Sequence, residues 1–287
     1  MEYVTLNNGV EMPILGFGVF QIPKEETKEC VLNALKVGYR AIDTAQSYFN
    51  ESEVGDAISE CGIPREELFI TTKIWIDNYG YDNCKKSVEE SLKKLKTEYI
   101  DLVLIHQPFG DYYEAYRALE DLYEEGKIKA IGVSNFYPDR LSDICLFERK
   151  VIPAVNQVEV NPLNAQFEAQ ENMKKYGVHM EAWAPFGEGK NGLFTNETLV
   201  KIGNQYNKTP AQVMLRWLIQ RGVIIACKTT HLERMEENFN IFNFKLNGED
   251  MEQIKALNTN NSLFFSHQDP QWVEWFDKMI NERRKVK

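Results

Sequence analysis

Four residues of the chain have types suited to moving a proton: Asp43, Tyr48, Lys73 and His106. A tyrosine has an ordinary pKa of about 10, too high to donate readily at neutral pH. A lysine ammonium beside it stabilises the phenolate and lowers that pKa. An aspartate can fix the lysine and keep it charged, and a neutral histidine can orient a carbonyl oxygen next to the phenol. Each residue also has a plainer reading. Asp43 can cap a loop, Tyr48 can pack with a wet hydroxyl, and His106 can be a satisfied core histidine. Lys73 resists that reading, because apolar strand residues flank it in TTKIW (71–75) and a lysine is seldom buried there unpaired.

These residues must be positioned by the elements around them. Short apolar runs alternate with helix-like segments: ILGFGV (14–19), YRAIDTA (39–45), LFITTKIW (68–75), YIDLVLIH (99–106), KAIGVSN (129–135), AVNQVEV (154–160), VHMEAWA (178–184) and VIIACK (223–228). Between them, 24–38 carries Val31 and Leu35 on one face and stops at Gly38, and 84–96 repeats Val88, Leu92 and Leu95 at helical spacing. Segment 209–222 opens with a Thr209 cap and Pro210, and stops at Gly222. LVLI (102–105) is apolar on both faces, as a buried parallel strand reads. Eight strand–helix units without a Pro/Gly/Ser-rich linker predict an α/β chain forming one domain, 1–287, built as a closed (β/α)8 TIM barrel. The alternative is a doubly wound open sheet, which usually has fewer strands and a glycine-rich loop after the first. Residues 3–14 read as an N-terminal β-hairpin around Asn8-Gly9. The aromatic C-terminal tail, 262–287, is expected to fold back over the active-site mouth with Phe264, Phe265, Trp272, Trp275 and Phe276.

In such a barrel, chemistry sits at the C-terminal ends of the strands. The second run ends at Asp43 with Thr44 and Tyr48 close behind, the third near Lys73 and the fourth at His106. The fifth ends at Ser134-Asn135, the sixth carries Gln157, the seventh Trp183, and the eighth ends at Lys228. A polar or aromatic group at each of these endings is a convergent pattern.

Composition narrows the partners. Of 287 residues, 33 are Lys or Arg and 43 Asp or Glu, so the formal net charge is −10. That acidic balance argues against nucleic acid, which needs a basic field, but leaves room for a small anion held by local cations. Hydrophobic residues at 43% and charged ones at 26% are those of a folded globular chain. Five scattered cysteines, with no C-x-x-C and no metal-like Cys/His cluster, fit free thiols in a reducing cytoplasm, and no metal is expected. No N-terminal export signal and no stretch of 18 apolar residues is seen, so neither export nor a membrane partner is expected.

Several motifs together resemble the aldo-keto reductases: DTAQSYFNE (43–51), the lysine of TTKIW, the histidine of DLVLIHQPF (101–109), GVSNF (132–136), NQVEVNP (156–162), AWAPFG (182–187) and the CKTT…R…EN segment (227–238). The similarity runs over residues 3–272 in family order and is nearest the bacterial branch of diketogluconate reductases and prostaglandin-F-synthase-like reductases. The resemblance implies a catalytic tetrad of Asp43, Tyr48, Lys73 and His106, with Tyr48 as general acid. It implies NADPH (or NADP+) as cofactor: Ser134, Asn135 and Gln157 at the nicotinamide carboxamide, Trp183 stacked on the ring, and Pro185 and Gly187 of AWAPFG nearby. Lys228, Thr229 and Arg234 would take the adenosine 2′-phosphate, with Glu237 and Asn238 at the adenine. The substrate would be a small carbonyl compound, and the protein a monomer or weak oligomer. An aromatic pocket wall of Phe20, Trp75, Phe109 and Phe264, with Gln107, is expected.

The chain departs from the family pattern at three places. Gln107 follows the histidine where tryptophan is common, Cys227 stands where proline usually precedes the lysine, and Phe186 replaces a usual leucine. Gly187–Gly192 fits G-x-G-x-x-G after a strand, but LFTNET intervenes before any helix, and Asn207 sits where an acidic partner belongs. It reads instead as a mobile glycine-rich flap near the cofactor pyrophosphate. The reading favoured is an NADPH-dependent reductase of aldehydes and ketones. The rivals are a non-catalytic NADP(H)-binding redox sensor, in which a tuned acid has less purpose, and a phosphate-binding isomerase barrel, which needs a carboxylate base.

Overall fold

In the computed structural model, which describes residues 1–147 and 149–286, each of the eight apolar runs forms one parallel strand of a closed barrel. A hairpin of β1 (Tyr3–Thr5) and β2 (Glu11–Pro13) precedes it. The barrel strands are β3 (Leu15–Gly18), β4 (Ala41–Asp43), β5 (Phe69–Ile74), β6 (Leu102–Ile105), β7 (Ile131–Ser134), β8 (Val155–Glu159), β9 (His179–Trp183) and β10 (Ile224–Cys227). They neighbour one another in chain order, and β10 closes onto β3. Closure settles the matter against an open doubly wound sheet.

The helices are α1 (Lys24–Val37), α2 (Glu51–Glu60), α3 (Tyr81–Leu95), α4 (Tyr112–Glu124), α5 (Pro138–Leu146), α6 (Phe167–Lys175), α7 (Glu197–Tyr206), α8 (Pro210–Gln220), α9 (Leu232–Phe239), α10 (Gly248–Lys255) and α11 (Pro270–Val286). Their ends follow the sequence signals. Gly38 takes φ +126° after α1, where its N–H reaches the carbonyls of Ala34 and Leu35. Thr209 and Gln212 form a reciprocal capping box at the start of α8. No helix among the described residues is long and apolar enough to cross a membrane.

Strand alternation divides the barrel interior into two zones. Inward positions begin apolar: Ala41, Phe69, Leu102, Leu104, Ala130, Val155 and Ile224 cluster with Leu6 and Met12 of the hairpin, which closes that end. Two or four residues further along the same faces they turn polar, to Asp43, Lys73, Ser134 and Gln157. The register sets Asp43 opposite Thr71, Lys73 opposite Leu104, and Gln157 between Ser134 and Glu181. The period-2 pattern thus carries the polar groups to one end of the barrel.

Candidate active site

Lys73 is fully buried, and four acceptors surround its ammonium. Nζ lies 2.6 and 2.8 Å from the two oxygens of Asp43, 3.0 Å from the Thr44 carbonyl and 3.3 Å from the Tyr48 hydroxyl. An unpaired ammonium there would cost several kcal/mol. Burial opposes its charge, but Asp43's charge, Tyr48 and the Asp43 hydrogen bonds outweigh burial, so the Lys73 pKa rises and it stays cationic.

Tyr48 ends a 3-10 turn, Gln46–Tyr48, whose segment is cross-linked into the barrel mouth. Thr44 Oγ1 donates to Asn50 Oδ1 at 2.9 Å, Asn50 Nδ2 to the Val19 carbonyl at 3.0 Å, and the Trp75 N–H to Gln46 Oε1 at 3.0 Å. The net pKa of Tyr48 is raised, which corrects the simple expectation of a lowered one. Burial is the largest influence, and Lys73 is the largest force pulling the other way. The pairing has the expected sign, and desolvation overrides it.

His106 is buried, with its ring edge-on to Tyr48 at 5.8 Å and to Trp75 at 5.1 Å, and Nδ1 3.4 Å from the Ser47 hydroxyl. Burial, then the charges of Lys73 and His267, holds its pKa well below the ordinary histidine value, so the imidazole is neutral at neutral pH. A phenol, its ammonium neighbour and a neutral imidazole therefore converge on one point, an arrangement able to bind and protonate a carbonyl oxygen.

A second network joins this group. Ser134 Oγ donates to the Gln157 carbonyl at 2.9 Å and accepts from Asn135 Nδ2 at 3.1 Å. Asn135 Nδ2 also reaches the His106 carbonyl at 3.2 Å, and Asn135 Oδ1 accepts from Trp183 Nε1 at 2.9 Å. Gln157 Nε2 donates to Asp43 Oδ2 at 3.0 Å. Asn135 and Ala184 hold φ of +65° and +49°, strained conformations at the ends of β7 and β9 beside this network.

The residues expected at a phosphate sit apart from the tetrad. Lys228 follows β10 and Arg234 lies in the first turn of α9; both are exposed, and neither is in an ion pair among the described residues. Thr229 is buried, with Oγ1 accepting from the His231 N–H at 3.2 Å, and Asn238 is buried too. Glu237 is engaged elsewhere: Thr209 Oγ1 donates to its Oε1 at 2.6 Å.

The glycine-rich loop is tied to the tail. Lys190 Nζ reaches the Leu263 carbonyl at 3.2 Å and lies 3.7 Å from the Phe264 ring centre. Gly187, at φ +55°, packs so closely that a Cβ would meet Leu263 at 2.6 Å and Leu193 at 2.9 Å. Pro185 beside it is buried. The glycines lie in an irregular 3-10 segment, Gly187–Thr195, and Asn196 caps α7 through the N–H groups of Thr198 and Leu199, so no α-helix opens on the glycines.

The tail folds over the mouth as expected, but its aromatics divide. Phe264 packs edge-on against Trp183 at 5.1 Å rather than joining Trp75 and Phe109. Phe276 of α11 takes that place, 6.0 Å from Trp75 and 5.5 Å from Phe109. Phe20 is half-exposed over the Tyr48 ring at 4.9 Å. Gln107 is buried, its backbone clamped by the Tyr79 hydroxyl, which accepts from its N–H at 2.9 Å and donates to its carbonyl at 2.7 Å. Beside Phe109 and Asn135, a cavity of about 450 Å³ opens against Tyr137, Arg140 and His267. Sequence reasoning missed His267 and Glu181. His267 lies in a tail whose path no local pattern dictates, whereas Glu181 stands in inward phase with Trp183 and could have been read there.

This barrel end, with its Asp43–Lys73–Tyr48–His106 group and amide network, is that of an oxidoreductase. Residues 14–259 match the model of the Aldo/keto reductase family, and the chain belongs to it. It is 47% identical over 259 residues to the glyoxal reductase of Bacillus subtilis (strain 168), covering 90% of this chain and 93% of that one. An aldo-keto reductase enzyme from a Medee basin deep-sea metagenome library superposes with a TM-score of 0.90 at 42% identity, over 93% of this chain and 98% of the other. Bombyx mori aldo-keto reductase, solved in complex with NADP, superposes at 0.86 with 34% identity, over 92% and 95%.

Proposed function

We propose that the enzyme reduces aldehydes or ketones to alcohols with NADPH, with Tyr48 as the general acid. The observation that carries this reading is the Lys73 ammonium, held by both Asp43 oxygens and placed 3.3 Å from the Tyr48 hydroxyl. His106, neutral and beside the phenol, orients the carbonyl oxygen. Tyr48 gives its proton to that oxygen, Lys73 stabilises the phenolate left behind, and Asp43 keeps Lys73 charged.

The residues present fit a nicotinamide cofactor. The Ser134–Asn135–Gln157 set offers amide and hydroxyl groups to a carboxamide, Trp183 offers a half-exposed indole plane, and Lys228 and Arg234 are cations free of ion pairs among the described residues. When bound, NADPH supplies the hydride that the carbonyl carbon accepts. A family relative solved with NADP supports that choice. The free thiols Cys30, Cys61, Cys84, Cys145 and Cys227 support a cytoplasmic setting.

NADPH oxidation followed at saturating nitrobenzaldehyde, then across a carbonyl panel that includes glyoxal, tests the reading. Carbonyl-dependent turnover is expected. Tight NADPH binding with no turnover on any member would point instead to a redox-sensing module.

A further inference from the structure

Within the barrel, next to the tetrad, lies a carboxylate that the chemistry above does not use. Glu181 on β9 is 2% exposed. The register places it beside Gln157 on β8 and Ile224 on β10. Its Oε2 has no hydrogen-bond partner among the described residues. The charged groups facing it are Asp43 from β4 and Lys73 from β5, with Tyr48 reached beyond them. From β8 it meets the Gln157 amide, and the inward positions of β10, Ile224 and Ala226, carry nothing that titrates.

The hydrogen bonds of Lys73 are already committed to Asp43, Thr44 and Tyr48. An ionised Glu181 would be a second anion facing a single cation with no N–H to spare. A buried carboxylate oxygen without a donor is costly, and the neutral acid costs much less.

We propose that Glu181 is a positioning residue for the reduction: as a neutral acid it leaves Asp43 the sole anion paired with Lys73, and on ionising it sets a second negative charge against the phenolate that Tyr48 must become. Burial first, and then Asp43's charge, push its pKa up to about 8, against the Gln157 hydrogen bond and the Lys73 charge. Its own ionised form strengthens Tyr48's hold on its proton. Reduction therefore slows as pH rises through the Glu181 titration. The inference rests on Tyr48 as general acid.

The test compares wild type, Glu181→Gln and Tyr48→Phe. Wild-type kcat for reduction, under conditions with a full deuterium isotope effect from 4-deuterated NADPH, should fall about two- to ten-fold from about pH 7 to about pH 9. That limb should be absent in Glu181→Gln. Infrared spectra of wild type should show a protonated carboxyl band at neutral pH that shifts on glutamate-selective carbon-13 labelling and falls to about a tenth by about pH 9. A limb that persists unchanged in Glu181→Gln, with Tyr48→Phe inactive, overturns the Glu181 inference alone. Full turnover by Tyr48→Phe overturns the general-acid reading and this inference with it. Should Glu181→Gln fail to fold, the wild-type labelled band decides: its absence at neutral pH overturns the proposal, and its loss on titration supports it.

Discussion

Gln157 Nε2 donates to Asp43 Oδ2 at 3.0 Å, joining β8 to β4 across the barrel interior. Asp43 also accepts from Lys73 through both oxygens, so the carboxylate is held on three sides in a buried site. The residue that the resemblance implies at the nicotinamide carboxamide therefore also braces the Asp43–Lys73 pair. Asp43→Asn should leave the Lys73 ammonium buried without a counter-charge and cost about 3–5 kcal/mol of stability. Chemical denaturation measures it. The double variant with Lys73→Met should recover part of that loss, and strictly additive losses would mean the two residues do not form a coupled pair.

Tyr48→Phe should fold, bind NADPH and lose carbonyl reduction. General acid catalysis contributes about 10²–10⁴-fold, so turnover should fall by at least that. Fluorescence titration checks binding, and single-turnover kinetics check chemistry. A variant that keeps a tenth of wild-type turnover under chemistry-limited conditions would remove Tyr48 from the acid role.

The legible part of this molecule is local. Each barrel strand is a short apolar run, and in β4, β5, β7 and β8 the inward positions change from apolar to polar toward the C-terminal end, a pattern written in consecutive residues. The tetrad is legible for the same reason, since each member ends or closely follows one run. What the sequence hid depends on contacts between distant segments. The Gln157–Asp43 bond spans 114 positions. Phe276, not Phe264, sits on Trp75 because α11 crosses the mouth along a path fixed only by packing. The net direction of the Tyr48 pKa depends on how deeply the folded chain buries it, which residue types and spacing do not state.

Lys73→Met should lower kcat rather than merely raise KM. The ammonium is the largest influence opposing the burial that raises the Tyr48 pKa, so removing it leaves a weaker acid. The loss should appear in single-turnover rates at saturating substrate. An unchanged kcat with only KM raised would make Lys73 a binding or structural residue.

Acid should destabilise the fold through two buried histidines. His106 and His267 are 9% and 6% exposed; burial lowers both pKa values, with His267 pushed down to about 3. The unfolded chain takes up these protons near the ordinary value of about 6.5, whereas the folded chain does not. Stability is therefore full above about pH 6.5 and falls as pH drops toward the folded values, by roughly 1.4 kcal/mol per pH unit per histidine. His267→Phe, which keeps a ring among Phe109, Tyr137 and Phe265, should flatten that acid slope. Denaturant midpoints at several pH values read it, and parallel curves for the two proteins would rule His267 out as a source.

NADPH should bind more tightly than NADH, through Lys228 and Arg234. Lys228 follows the last barrel strand, and Arg234 projects from the first turn of α9. The acidic neighbours Glu233, Glu236 and Glu237 offered Arg234 a plain surface ion pair, but none forms among the described residues, and Glu237 bonds instead to Thr209. The guanidinium fork is thus left for a ligand, and its planar donors match phosphate oxygens. The amides at the start of α9 and their dipole favour an anion at the same end. Such a cluster explains how a chain of net charge −10 can still hold a phosphate. Charge-assisted hydrogen bonds from one residue are worth about 10- to 150-fold in affinity, so Arg234→Ala should weaken NADPH binding by about that factor. NADH, lacking the 2′-phosphate, should be nearly unaffected. Titrating both cofactors by fluorescence quenching at one fixed salt concentration separates these outcomes. Equal weakening of both, or of neither, would place the 2′-phosphate away from Arg234.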